Sequence, residues 1–92
     1  MYKNVMIVDD DPQIQDLVKL FLEQAGLTTK ICKNDYEALD ELCNNKYDLI
    51  ILDINMPIMN GFKTLIRIRA MEKTKAIPVL MLTTVQGRND VL

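Results

Sequence analysis

Acidic side chains follow two apolar segments of this sequence, and they are its strongest candidates for chemistry. Val5–Val8 is followed by three aspartates at positions 9–11, and Leu49–Leu52 is followed by Asp53. An aspartate at the carboxyl end of a buried parallel strand lies where open α/β sheets bind their ligands. If both segments are strands of one sheet, their aspartates meet at the same edge and form an anionic pocket.

The predicted pocket favours a divalent cation. Two carboxylates about 4 Å apart repel each other by roughly 4 kcal/mol at an effective dielectric constant near 20. A fold keeps such a cluster if a cation offsets the charge or if one carboxyl group stays protonated. The chain has no histidine, and its two cysteines lack metal-ligand spacing. Oxygen ligands alone favour Mg²⁺, or else Mn²⁺, so we predict this site at Asp9, Asp10 and Asp53, with Asp53 as its reactive group.

Simpler interpretations exist for each of these residues. Asp11 stands before Pro12, which is typical of a helix N-cap, and we assign it no chemistry. Asp9 could bond loop amides, and Asp53 could cap the turn that follows it. Thr83 ends a further apolar run, and a threonine there is more often a strand-end hydrogen-bonding group than a phosphate ligand. The coincidence of polar groups suited to phosphate chemistry at three strand ends favours a functional site.

The elements that must position these residues follow from hydrophobic periodicity. Continuous apolar runs predict strands buried on both faces, and helical spacing with capping residues predicts the segments between them. The alternation predicts right-handed βαβ units in one mainly parallel sheet, forming one domain over residues 1–92. The third helix should bury a stripe near Phe62, Leu65, Ile66 and Ile68. The predicted strands are 3–8, 27–32, 48–53 and 77–83, and the predicted helices are 12–25, 35–44, 62–72 and one starting in 85–92.

Composition excludes several classes of function. A formal net charge of −2 gives no basic field, which argues against direct nucleic-acid binding by this segment. No apolar run approaches the roughly 18 residues of a membrane span, and no signal segment is present. Cys32 and Cys43 are expected to be buried or half-buried free thiols in a reducing compartment. We therefore expect a cytoplasmic protein without membrane contact.

Four segments in this order and spacing resemble the receiver domain of two-component response regulators. Each segment is weakly specific alone, but together they cover nearly the whole chain. The segments are Val8–Pro12, Asp48–Asp53, Met56–Pro57 with Gly61, and Pro78–Thr83.

The resemblance implies a role for each candidate residue. Asp53 would accept a phosphoryl group from a phosphohistidine on a sensor histidine kinase or phosphotransfer protein. Asp10, Asp53 and the main-chain carbonyl of Asn55 would bind Mg²⁺, and Asp9 would hold a coordinating water. Thr83 would be the switch hydroxyl that bonds the phosphoryl group. Such a protein is a phosphoacceptor that assists its own transfer and dephosphorylation, rather than a conventional enzyme.

The resemblance also implies a flavodoxin-like fold with strand order 2-1-3-4-5. The sequence ends before a fifth strand, its lysine and the last helix, so we expect order 2-1-3-4 in a C-terminally incomplete domain. Three explanations stay open: a piece of a longer protein, self-association through the exposed edge of the fourth strand, or a natural short form that is phosphorylated poorly.

Two other functions remain as alternatives. A phosphate-independent interaction module is favoured by the missing lysine. An aspartyl-phosphate hydrolase of the haloacid-dehalogenase type expects a second aspartate two residues after the nucleophile, and Asn55 stands there.

Overall fold

The computed structural model describes residues 3–54 and 60–82, in which strands and helices alternate along the chain. The predicted elements are confirmed within this part, and their ends differ from the predicted ones by no more than two residues. The predicted helix starting in 85–92 lies outside the described residues. The elements are β1 (Asn4–Val8), α1 (Pro12–Gln24), β2 (Thr28–Cys32), α2 (Asp35–Asn44), β3 (Leu49–Asp53), α3 (Gly61–Ala70) and β4 (Val79–Leu82).

The four strands form one parallel sheet in the order β2-β1-β3-β4, which confirms the predicted topology. In the register between β1 and β3, Val8 is the partner of Leu52. Each of these residues is followed directly by a candidate aspartate. Because parallel strands end at the same edge, this register places Asp9 beside Asp53.

One face of the sheet, which we call the closed face, is covered by α2 and α3. Alternate strand residues point to this face and pack with both helices in one buried cluster. The cluster contains Met6, Val8, Cys32, Ala38, Leu42, Ile50, Leu52 and Ile68. The cluster anchors the two central strands, β1 and β3, close to their carboxyl ends, where Asp9 and Asp53 lie.

The opposite face, which we call the open face, is covered by α1 over β1 and β2. Val5 and Ile7 are fully buried there, and Ile51 is 6% exposed. No residue of α1 is buried. The prediction that β1 is covered on both faces is nevertheless confirmed, since all its residues from Val5 to Val8 are buried.

The predicted buried stripe of α3 is partly wrong. Phe62 is 53% exposed and Ile66 is 67% exposed, whereas Gly61, Thr64 and Ile68 are buried. Residues 61, 64 and 68 are three and four positions apart, so they share one helix face and turn Phe62 and Ile66 away from the sheet. Within the described residues, no helix is long and apolar enough to cross a membrane.

Candidate metal centre

Three carboxylates meet at the carboxyl-terminal edge of the sheet. Asp9, Asp10 and Asp53 each offer an oxygen, and these oxygens all lie within 4.8 Å of one another. Asp9 and Asp53 are buried at 1% exposure each, and Asp10 is half-buried. The three acids that the sequence singled out therefore lie together, and their role as metal ligands stays a prediction.

The two carboxylate oxygens of Asp9 have different environments. Oδ1 accepts a hydrogen bond of 2.9 Å from the backbone N–H of Asp11, as the simpler interpretation of Asp9 would have it. Oδ2 is buried and has no hydrogen-bond partner among the described residues. A buried carboxylate oxygen without a partner is costly, and a cation bound there would offset that cost. This oxygen fits the predicted divalent-cation site.

The backbone of Asp9 is held on both sides. Its N–H donates to the carbonyl oxygen of Cys32 at 3.1 Å, which extends the pairing of β1 with β2. Its carbonyl oxygen accepts a 2.6 Å bond from Nε2 of Gln15 on α1. The side chain of Asp9 is therefore presented from a fixed backbone position.

Burial raises the pKa of Asp9 from 3.8 to about 6. The carboxylates of Asp53 and Asp10 contribute to this rise in the pKa, and the hydrogen bond from the Asp11 N–H opposes it. Metal ligands bind as the deprotonated form, so protons and a cation compete for this group. Lowering the pH towards 6 should therefore weaken metal binding.

Asp11 is the N-cap of α1, as predicted. Its Oδ1 accepts the N–H of Gln13 at 2.9 Å, and Pro12 occupies the first turn. The amino terminus of α1 thus follows Asp9 and Asp10 directly, and the positive end of a helix dipole favours nearby anions. Its role as the helix cap explains the position of Asp11 without any role in metal binding.

The backbone of Asp53 is in direct contact with the start of α3. A Cβ atom added at Gly61 would overlap the carbonyl oxygen of Asp53 and lie 2.8 Å from the Cα of Ile54. Asn60 caps the helix by accepting the N–H of Phe62 at 2.9 Å. The sequence showed Asn60-Gly61 only as a turn, so this close approach was missed, and glycine after a capping residue was its one signal.

Two predicted site residues, Asn55 and Thr83, lie outside the described residues, and their roles stay predictions. Lys73 and Lys75, which precede β4, are engaged away from the acidic cluster. Lys73 Nζ donates to the carbonyl oxygen of Cys43 at 2.7 Å, and Lys75 pairs with Glu72 at 2.9 Å. Neither lysine supplies positive charge to the cluster.

Comparison with known proteins identifies the family. Residues 5–92 match the model of the response regulator receiver domain. The chain belongs to the response regulator receiver family. Receivers are signalling modules, so the resemblance drawn from the sequence is confirmed.

Solved receiver structures share this fold. The N-terminal domain of a response regulator receiver protein from Methanoculleus marisnigri JR1 is 39% identical with a TM-score of 0.85, over 92% of this chain and 68% of that one. The chemotaxis protein CheY4 of Vibrio cholerae is 35% identical with a TM-score of 0.86, over 92% of this chain and 71% of that one. The flavodoxin-like order 2-1-3-4 is therefore the receiver fold.

Two curated relatives of this receiver are much longer proteins. The DNA-binding dual master transcriptional regulator RpaA of Synechocystis is 40% identical over 94% of this chain and 36% of its own length. The CpxR homolog of Haemophilus influenzae, a transcriptional regulatory protein, is 40% identical over 86% of this chain and 33% of its own length. The chain thus spans about a third of the length of each of these relatives.

Proposed function

We propose that this receiver accepts a phosphoryl group on Asp53 in a Mg²⁺-dependent reaction. The donor would be a phosphohistidine of a sensor histidine kinase or of a phosphotransfer protein. The observation that carries this proposal is the buried group of Asp9, Asp10 and Asp53, in which an oxygen of Asp9 lacks a partner among the described residues. Membership of the receiver family supports the same function.

The proposed ligands of the cation are Asp10, Asp53 and the main-chain carbonyl of Asn55, with Asp9 acting through a water. When bound, Mg²⁺ would neutralise charge on the transferring phosphoryl group. Asp53 would act as the nucleophile: its carboxylate oxygen bonds to phosphorus as the phosphorus–nitrogen bond of the donor breaks. The electron pair of that bond stays with the donor imidazole, which takes up a proton.

Asp53 is suited to this step by how it is held. Its backbone pairs with β4 through Leu82, and Gly61 contacts its carbonyl oxygen. Phosphoryl transfer depends mainly on positioning and on charge stabilisation, so a fixed carboxylate needs little further help. The product is an acyl phosphate with a charge of about −2, and Thr83 is the proposed donor to its oxygens.

We further propose that the phosphoryl group reorders the segments around Thr83 and is lost by autodephosphorylation. An acyl phosphate is an activated group, so water attacking phosphorus would restore the Asp53 carboxylate. The hydrolase alternative is not favoured by any contact in the described residues. The phosphate-independent interaction module remains the alternative that a failed transfer would support.

The test is incubation with acetyl phosphate and Mg²⁺, followed by intact mass measurement. We expect a mass increase of one phosphoryl group that requires Mg²⁺ and is abolished by Asp53→Asn. Asp40→Asn is the matched control, because Asp40 is an exposed carboxylate on α2 and should leave the transfer unchanged. An unmodified wild-type protein, or equal modification of Asp53→Asn, would contradict the proposal.

We also propose self-association through the outer edge of β4. This edge is formed by the uncharged segment Val79–Leu82, in which Leu80 is 55% exposed. Within residues 3–54 and 60–82, β4 is the last strand of the sheet. An apolar edge strand is a site for pairing with another strand, and a second copy presents the same edge. Light scattering should show a concentration-dependent dimer that Leu80→Lys removes, and a monomer at every concentration would contradict this.

The remaining assignments are proposals of the same kind. Residues 1–92 would form a single domain, and its formal charge of −2 offers nucleic acid no basic surface. Both cysteines are free, and Cys32 is buried as expected, but the expected burial is wrong for Cys43, which is exposed. We place the protein in the reducing cytoplasm.

A further inference from the structure

An ion pair joins α2 to α3. Nη1 of Arg67 donates to Oδ2 of Asp35 at 2.9 Å, although the two residues are 32 positions apart. The other ion pairs of the described residues join side chains three or four positions apart. In this part of the chain, the Asp35–Arg67 bridge is therefore the ion pair that fixes one helix relative to another.

Asp35 is nearly buried, so its carboxylate favours a positively charged partner. The side chain of Asp35 is 12% exposed, while the side chain of Arg67 is 54% exposed. A nearly buried carboxylate is costly without an opposite charge, and Arg67 supplies that charge from α3. The 2.9 Å contact therefore joins the first residue of α2 to α3.

Asp35 begins the helix that follows β2, the strand that supports Asp9, and Arg67 lies on α3, the helix that contacts Asp53. Asp35 follows Cys32 by three residues, and the Cys32 carbonyl oxygen accepts the backbone N–H of Asp9. Arg67 lies on α3, whose first residue, Gly61, contacts the carbonyl oxygen of Asp53. The bridge therefore connects the backbone supports of Asp9 and Asp53.

We propose that the Asp35–Arg67 bridge is a positioning device that sets the spacing of the Asp9 and Asp53 carboxylates. The proposal rests on the function proposed above, and it adds two residues that do not touch the cation or the phosphoryl group. Without the bridge, α3 keeps its buried contacts with the closed-face cluster but loses the ion pair that holds it beside α2, and its position can shift. Gly61 then leaves the Asp53 carbonyl, and the carboxylates lose the separation that suits one cation between them.

The first test is Mg²⁺ affinity, measured by titration of the protein without a phosphoryl donor. We expect Arg67→Gln and Asp35→Asn each to weaken Mg²⁺ binding by roughly twofold to fivefold, the range for losing a partly exposed ion pair. The double variant should be no weaker than either single one, since both remove the same interaction. Arg67→Lys keeps the charge and should recover most of the affinity.

The second test uses the metal-free protein and reads the backbone directly. Hydrogen exchange should become faster at the N–H of Asp9, which donates to Cys32, and at the N–H of Gly61, which donates to Ile54. The control is Lys73→Gln, which removes a bond between α2 and the segment after α3 at a place away from the cluster. This variant should leave both amides and the Mg²⁺ affinity unchanged.

The two tests separate this proposal from the proposed function. If wild-type protein does not bind Mg²⁺, the metal site fails, and the exchange rates still decide whether the bridge positions the two backbones. Equal effects of Lys73→Gln and Arg67→Gln would overturn the bridge proposal, because a general loss of stability would then explain both. Unchanged exchange and affinity in Arg67→Gln would overturn it as well.

Discussion

The two faces of the sheet are built differently. On the closed face, two helices and alternate strand residues form one buried cluster. On the open face, α1 buries none of its residues, and Leu17 and Phe21 are 50% and 63% exposed. Leu80 belongs to the same face, because its neighbours Val79 and Met81 pack against the closed-face cluster.

The candidate site lies on the less tightly packed face of the sheet. In β3, Leu49, Ile51 and Asp53 alternate with the closed-face residues Ile50 and Leu52, so Asp53 continues the open-face series. The closed face thus anchors the strands, and the carboxylate of Asp53, the proposed phosphoryl acceptor, points to the other side. The difference shows how a well-packed face can hold a backbone rigid while leaving its terminal side chain available for chemistry.

The largest expected effect comes from replacing a leucine by alanine on each face. Leu42→Ala on the closed face should lower the free energy of unfolding by about 2 to 5 kcal/mol, because Leu42 is 1% exposed and its loss leaves a cavity. Leu17→Ala on the open face should cost under about 1 kcal/mol. Urea denaturation measures both. Equal costs would mean that the open face is as well covered in solution as the closed face.

The next effect concerns the contact between α3 and Asp53. Gly61→Ala should cost about 1 to 3 kcal/mol of stability, because its Cβ overlaps the Asp53 backbone, and it should also weaken Mg²⁺ binding. The control is Gly26→Ala, in which a φ of 87° strains the new residue but nothing lies within 4 Å. That control should lose stability and keep its Mg²⁺ affinity. Unchanged Mg²⁺ binding in Gly61→Ala would contradict the role given to this contact.

A smaller effect is the pH dependence of Asp9. The folded-state pKa of about 6 lies above the ordinary value of 3.8, so between these values the folded state binds the proton more tightly. Asp9 therefore contributes its full stability below about pH 4 and loses it as the pH rises through 6. Without metal, Asp9→Asn should be more stable than wild type at pH 7.5, by up to about 3 kcal/mol, and nearly equal at pH 4.

Mg²⁺ provides the control for this pH effect. Saturating Mg²⁺ should stabilise the wild-type protein at pH 7.5 by binding the folded state, and it should stabilise Asp9→Asn less. Thermal unfolding with and without Mg²⁺ measures this. A wild type that is more stable than Asp9→Asn at pH 7.5 without metal would contradict the raised pKa.

The smallest effect is expected at the surface of α1. Lys19 and Glu23 form an exposed ion pair of 3.6 Å, and Lys19→Gln should change stability by less than about 0.5 kcal/mol. Chemical denaturation at low and at moderate salt checks this. If Lys19→Gln lowered the free energy of unfolding as much as Leu42→Ala, α1 would have to make stabilising contacts beyond those seen on the open face.

Much of the fold could be predicted because the local signals agree. Val5–Val8 is apolar without alternation, as a strand covered on both faces must be, and Asp11-Pro12 sets the start of α1 through capping and a fixed φ. The convergence of Asp9 and Asp53 followed from the parallel topology alone. These features depend on short-range chemistry, which the sequence displays directly.

The features that were missed depend on three-dimensional packing. Phe62 and Ile66 have the spacing of a buried pair, but the close approach of Gly61 to Asp53 fixes the rotation of α3 and turns them outward. The bridge between Asp35 and Arg67 spans 32 positions, and no local pattern marks it. Such contacts depend on how the helices pack against the sheet.

The central claim is that Asp53 is the acceptor among three clustered carboxylates, and trapping the product tests it most directly. Hydroxylamine displaces phosphate from an acyl phosphate and leaves a hydroxamate on the carboxyl group that carried it. After treatment with acetyl phosphate and Mg²⁺, peptide mass mapping should find the hydroxamate on Asp53 and on neither Asp9 nor Asp10. A hydroxamate on Asp9 or Asp10, or none in the wild-type protein, would contradict the account.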